Sequence, residues 1–129
     1  MPRLLIGAVT ALALTVATPA LAAAPRMPDG TAGAKRCGTD VTNRYGGHFR
    51  VFVTKGERRV SCRRARSIVR RGIDVRGWRY YDWTKGGNGP WSDVWQRHDR
   101  RAVVGAILRC VDGLDDDEDL PPCHESRQP

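Results

Sequence analysis

Between Phe49 and Thr54 the chain alternates, with Phe49, Val51 and Val53 on one side and Arg50, Phe52 and Thr54 on the other. A period of two, in β-branched and aromatic residues with glycine at both borders, predicts a strand. The period then changes. From Cys62 onward Cys62, Ala65, Ile68 and Val69 fall on one helical face, and arginines fill the remainder. Ser61 precedes this run as an N-cap and Gly72 follows it as a stop, so a short amphipathic helix is expected between them. Residues 77–83, GWRYYDW, read as a second strand, with Trp78, Tyr80 and Asp82 pointing one way and Arg79, Tyr81 and Trp83 the other. GGNGP, residues 86–90, is a loop by composition. In residues 101–111 Val103, Val104, Ile107 and Val111 favour a strand and Gly105 weakens a helix, although the stretch from Ser92 also fits a helix with Asp93 in its first turn. These elements imply an α+β fold, one short helix packed on a small antiparallel β-sheet.

Ahead of them stands a different pattern. Arg3 precedes an uncharged apolar run from Leu4 to Ala17, and Ala20-Leu21-Ala22 fits an A-x-A cleavage site. That run is shorter than the roughly twenty residues a membrane span needs. Residues 1–22 are therefore expected to be a signal peptide, leaving no transmembrane segment after cleavage. Residues 23–36, rich in Ala, Pro and Gly, are expected to form a flexible N-terminal arm. The folded α+β domain is then 37–111, and 112–129 an acidic C-terminal tail tied by Cys123.

Export changes the meaning of the cysteines. Cys37, Cys62, Cys110 and Cys123 form an even set in a short secreted chain, which implies two disulfides. No C-x₂-C or H-x₃-H spacing supports a zinc site, and no metal or cofactor is expected. Three connectivities are open.

Charge is segregated. Lys35 to Arg109 carries 19 basic residues against six acidic ones, whereas Asp112 to Glu125 holds seven acids and no base. Such polarity suits a basic face for a polyanion and an acidic segment that shields it. Arginine outnumbers lysine nineteen to three, a bias that a GC-rich genome produces by itself, so charge alone names no partner. Asp115, Asp117 and Asp119 alternate like calcium-loop ligands, but the required glycine and glutamate are replaced by Leu120 and Ser126.

All four tryptophans lie between Trp78 and Trp95. Arg79, Tyr81, Trp83, Lys85, Trp91 and Arg97 interleave stacking surfaces with cations, a mixture that suits single-stranded nucleic acid or carbohydrate. They are the candidate binding residues. His98, Glu57 and His48 are the weaker candidates for acid and base chemistry on a phosphodiester, with arginines near His98 to meet developing charge. Asp82 and Asp93, each flanked by aromatics, are the only carboxylates placed to pair for glycoside hydrolysis, and their separation is not fixed by sequence. The leading expectation is a secreted, disulfide-stabilised, non-enzymatic binding or envelope-associated module with a basic aromatic face. Its partner would be an anionic envelope polymer or a protein. The alternatives are a small secreted hydrolase acting on a polyanion such as RNA, and an inhibitor presenting the Gly86–Trp91 loop to a protein target.

The order Cys37-Gly38, a strand, Val60-Ser61-Cys62-x-x-Ala65-Arg66 on a helix, Gly77-Trp78 and a late Arg109-Cys110 resembles small exported proteins of actinobacteria without an assigned function. Those carry an S-C-x-x-A helix followed by a G-W-x-C strand, and the similarity covers roughly 37–111. It implies export and the fold, and carries over no catalytic residue. Here Arg79-Tyr80 follows Gly77-Trp78, where the pattern has a cysteine, so the helix cysteine must find another partner. The preferred pairing is therefore Cys62–Cys110 with Cys37–Cys123, joining the helix to a late strand and the two ends to each other.

Overall fold

A computed structural model describes residues 24–113 and 122–123. The expected signal peptide, most of the acidic tail and His124 lie outside these residues. A 3-10 turn at Thr31–Gly33 leads into β1 (Ala34–Thr42) and β2 (Gly47–Thr54), followed by α1 (Cys62–Arg71), β3 (Trp78–Asp82), β4 (Asp93–Arg97) and β5 (Val103–Val111). The sheet order is β1-β2-β5-β4-β3, and every neighbouring pair is antiparallel. The connection through α1 carries the chain from β2 to the far edge, where β3 forms. Two hairpins then fill the sheet inward until β5 pairs with β2. The α+β architecture, one helix on an antiparallel sheet, is as the periodicities imply.

Helix α1 begins where Ser61 Oγ accepts the Arg64 N–H at 3.1 Å, and it ends at Gly72, whose φ of 82° favours glycine. A Cβ on Gly72 would also stand 2.7 Å from the Tyr45 ring. Ala65, Ile68 and Val69 are buried, and α1 packs on β1 and β2. Beneath it lie Phe49, Val51, Val53, Val104 and Ala106, with Trp78 and Trp95 extending the same cluster. Trp95 donates its indole N–H to the Gly72 carbonyl at 3.0 Å, which ties β4 to the helix C-terminus.

The other face of the sheet has its own core of Phe52, Trp83, Trp91 and Val94, against which Met27, Ala34, Tyr81, Val103 and Ile107 pack. Residues 24–36 supply part of that core, which corrects the expectation of a flexible arm. Met27 and Trp91 lie directly over Gly105, where an added Cβ would come within 2.6 Å of the Met27 methyl and 2.9 Å of the indole. Gly105 is thus the position at which segment and tryptophan reach the sheet. Asn88 fastens the segment, its amide donating to Met27 O and Asp29 Oδ1, both at 2.8 Å. Residues 34–36 belong to β1.

The disulfides are Cys37–Cys62 and Cys110–Cys123, correcting the preferred pairing. Cys37 sits at a register shift in β1 and packs in the helix-side core, beside the first residue of α1. Cys110 pairs in register with His48, which alternates with the helix-facing Phe49, so Cys110 belongs to the opposite face and cannot meet Cys62. One bond pins α1 to the edge strand. The other holds the start of the tail against β5, where Pro122 bridges Val111. Among the described residues no helix is long and apolar enough to cross a membrane.

Candidate functional site

The register of β3 and β4 places Arg79 directly opposite Gln96. Gln96 is the buried polar residue of the sheet, and Tyr81 donates to its Oε1 in a long hydrogen bond of 3.5 Å. With the carbonyl oxygen so occupied, the amide NH₂ is left to donate elsewhere. Beyond Gln96 the chain turns through His98, Asp99, Arg100 and Arg101 into β5. The turn closes on Arg97 N–H to Ala102 O at 2.9 Å and Arg100 N–H to Arg97 O at 2.8 Å. Asp99 stiffens it, accepting from the Arg101 N–H at 2.9 Å and from Arg97 Nε and Nη2 at 2.9 and 2.7 Å. These contacts, the Arg97 bond foremost, hold the Asp99 carboxyl down at about 2, and Asp99 holds the Arg97 guanidinium above its usual value. Asp99 is therefore committed to the turn. Arg100 has φ of 63°, the left-handed region that a long side chain enters only when its neighbours require it.

The result is a cavity of about 170 Å³ lined by Arg79, Gln96, Arg97, His98 and Arg100. No carboxylate lines it. Guanidinium forks suit the oxygens of phosphate or carboxylate, and here they stand beside a neutral amide donor and an imidazole.

A second space, of about 870 Å³, runs along the β3 edge between residues 24–27 and the loop after Trp83. Tyr81, Asp82, Trp83, Lys85 and Asn88 contribute to its lining. Trp83 is largely covered, for Gly87 lies against its ring and its indole N–H donates to Asn88 O at 2.9 Å. The Tyr81 ring meets it edge-on, with centroids 6.4 Å apart. Thr84 donates twice to Asp82, which lowers the Asp82 pKa, and Lys85 Nζ stands 3.7 Å from its other oxygen.

Of the candidate binding residues, Arg79 and Arg97 thus meet in the cavity, and Tyr81, Trp83 and Lys85 in the groove. Trp91, 3 % exposed, packs edge-on against Phe52 and is a core residue. Gln96 was not singled out by sequence, because a lone glutamine carries no signal until strand pairing puts it opposite an arginine.

The acid and base candidates do not converge. His48 pairs with Cys110, and Gln96, two residues before His98, pairs with Val103. Seven residues of β5 separate those positions, roughly 23 Å at the strand rise. Glu57 is turned inward, with its side chain 9 % exposed, and takes the Arg59 N–H at 2.6 Å. Asp82 and Asp93 are cross-strand partners. Burial raises the Asp93 pKa, but both of its oxygens accept hydrogen bonds, from the Tyr80 hydroxyl and the Ser92 hydroxyl. Asp93 acts as a packing anchor and does not line the groove.

His48 lies between two carboxylates, with Nδ1 2.7 Å from Asp40 Oδ1 and Nε2 2.9 Å from Asp112 Oδ2. Cys110 and Cys123 are near, the nitrogen and both sulfurs lying within 4.8 Å of one another. Sulfurs joined to each other offer a metal no thiolate.

No protein-family model matches the chain, and no curated protein or solved structure matches it either.

Proposed function

We propose that this is a secreted, non-enzymatic binding domain that holds an anionic envelope polymer at the cavity between Arg79 and Arg100. The observation that carries this reading is the convergence of Arg79, Arg100, His98 and the free amide edge of Gln96 on one space lined by no carboxylate, with Arg97, already engaged by Asp99, beside them. Positive charge continues across the same face of the sheet through Arg36 and Arg50, which are exposed and pair with Phe52 and Ile107. Such a spread adds long-range attraction to the local contacts. The two disulfides and the apolar leader support export. The wide separation of His48 from His98 is why binding is preferred to hydrolysis.

The test is binding of the purified mature protein to a fluorescent anionic wall polymer across a salt series. Affinity is expected to fall steadily as salt rises, because each phosphate contact releases counterions. Arg79→Ala with Arg100→Ala is expected to weaken binding at least about tenfold, the combined worth of two charge-assisted contacts. Binding indifferent to both salt and these substitutions would sink the reading.

A further inference from the structure

Tyr81 lines the groove and reaches the wall of the cavity through its hydroxyl. Its hydroxyl is on Gln96, in the wall of the cationic cavity, and its ring faces the groove along β3. Arg79 and Tyr81 are alternate residues of one strand on one face, so they stand about 7 Å apart. A ligand reaching from the cavity to the groove therefore needs an anionic group joined directly to a ring-sized unit.

The groove selects the kind of unit. Trp83 is covered by Gly87 and the Tyr81 ring meets it edge-on, so these two rings present no pair of parallel faces to enclose a flat base. In the lining of the same groove Asp82 and Lys85 place an acceptor and a donor 3.7 Å apart. A sugar hydroxyl, which both donates and accepts, satisfies such a pair. Arg26 and Lys85 also line the groove, and its one carboxylate, Asp82, is an acceptor that a sugar hydroxyl can use and a phosphodiester, having no donor, cannot. Residues 24–27 form the opposite bank, so the space is bounded on both sides.

We infer that the cavity and the groove are two halves of one site for a phosphodiester-linked saccharide, with its phosphate among Arg79, Gln96 and Arg100 and the adjoining sugar ring against Tyr81. This rests on the reading that the cavity holds an anion, and it goes further by naming what adjoins that anion.

The experiment compares four probes by fluorescence anisotropy or competition: a glycosyl-phosphate polymer, inorganic polyphosphate, neutral dextran and single-stranded RNA. The proteins are wild type, Arg79→Ala, Tyr81→Leu and the exposed Asp82→Asn, with folding checked by thermal melting. The glycosyl-phosphate polymer is expected to bind at least tenfold more tightly per phosphate than polyphosphate, with dextran weak. Tyr81→Leu, which keeps apolar packing on Trp83, should lower affinity for the glycosyl-phosphate polymer more than for polyphosphate and so erase that preference. Asp82→Asn, which cannot disturb the fold through lost packing, should reduce the preference as well. Arg79→Ala should weaken both polymers alike. Equal affinity for the two polymers overturns the inference while leaving anion binding in place. RNA binding more tightly than the saccharide polymer, in a Tyr81-dependent way, overturns it in favour of a nucleic acid. Failure of every polyanion to bind at low salt overturns the underlying reading itself.

Discussion

Trp91 donates its indole N–H to the carbonyl of Pro28 at 2.7 Å, across 63 positions of the chain. This bond and the Met27 contact over Gly105 hold residues 24–30 on the sheet. Trp91→Phe keeps most of the packing and removes the donor. It is expected to destabilise the fold by about 1–2 kcal/mol, the net worth of one hydrogen bond plus a smaller ring. Urea unfolding measures this, and an unchanged midpoint would mean that the segment is not held through Trp91.

Arg100 lets stability be separated from binding. Its φ of 63° costs an ordinary side chain about 1 kcal/mol, which glycine does not incur. Arg100→Gly is therefore expected to leave the melting temperature unchanged or slightly raised while lowering polyanion affinity several-fold. A protein that melts earlier and binds as before would show that Arg100 serves the turn alone.

His48 makes stability depend on pH. Hydrogen bonds to Asp112 and then Asp40 raise its pKa above the ordinary 6.5. The imidazolium is favoured in the folded state, so the stabilisation is complete below pH 6.5 and is lost as pH rises through the folded pKa. Melting of wild type and His48→Gln between pH 5 and 9 should show a wild-type advantage that shrinks toward alkaline pH. A constant difference would mean that the pair of carboxylates does not govern His48.

The disulfides should contribute unequally. Cys37–Cys62 closes 25 positions and Cys110–Cys123 closes 13. Loop-closure entropy then predicts losses of about 3.5 and about 3 kcal/mol when each pair is replaced by serine. The first pair also joins core elements, so its removal should cost more than this arithmetic. Denaturant midpoints of the two double-serine variants give the comparison.

What the sequence discloses depends on how many side chains vote. Helix α1 and strands β2, β3 and β5 carry enough periodic apolar residues to be read, and the alternation of Trp78 and Tyr80 against Tyr81 and Trp83 appears in the two cores as expected. β1 was not legible. It is an edge strand with two register shifts, in which Cys37 and Val41 alone are buried, so no clean period survives. β4 is five residues long and carries Asp93, Gln96 and Arg97, which mask its strand character. The disulfide pairing turned on which face Cys110 occupies, a matter decided by the shift between His48 and Phe49. The lining of the cavity was half legible for a similar reason. Arginine and tyrosine announce themselves, whereas their meeting at Gln96 is a property of register.

Strand order has a consequence for how the molecule can come apart. Each disulfide closes within one half of the chain, Cys37–Cys62 inside β1-β2-α1 and Cys110–Cys123 between β5 and the residues that follow it. The halves therefore meet along a seam with no covalent staple, the β2–β5 ladder, crossed by the shared cores and by Met27 reaching over Gly105. Arg79, Gln96, Arg97 and Arg100 all ride on the second half, whereas the outer bank of the groove, residues 24–27, belongs to the first. Opening at this seam would leave the cationic cavity whole and take away one wall of the groove, so under the proposed two-part site tension or partial unfolding would let go of the sugar before the anion.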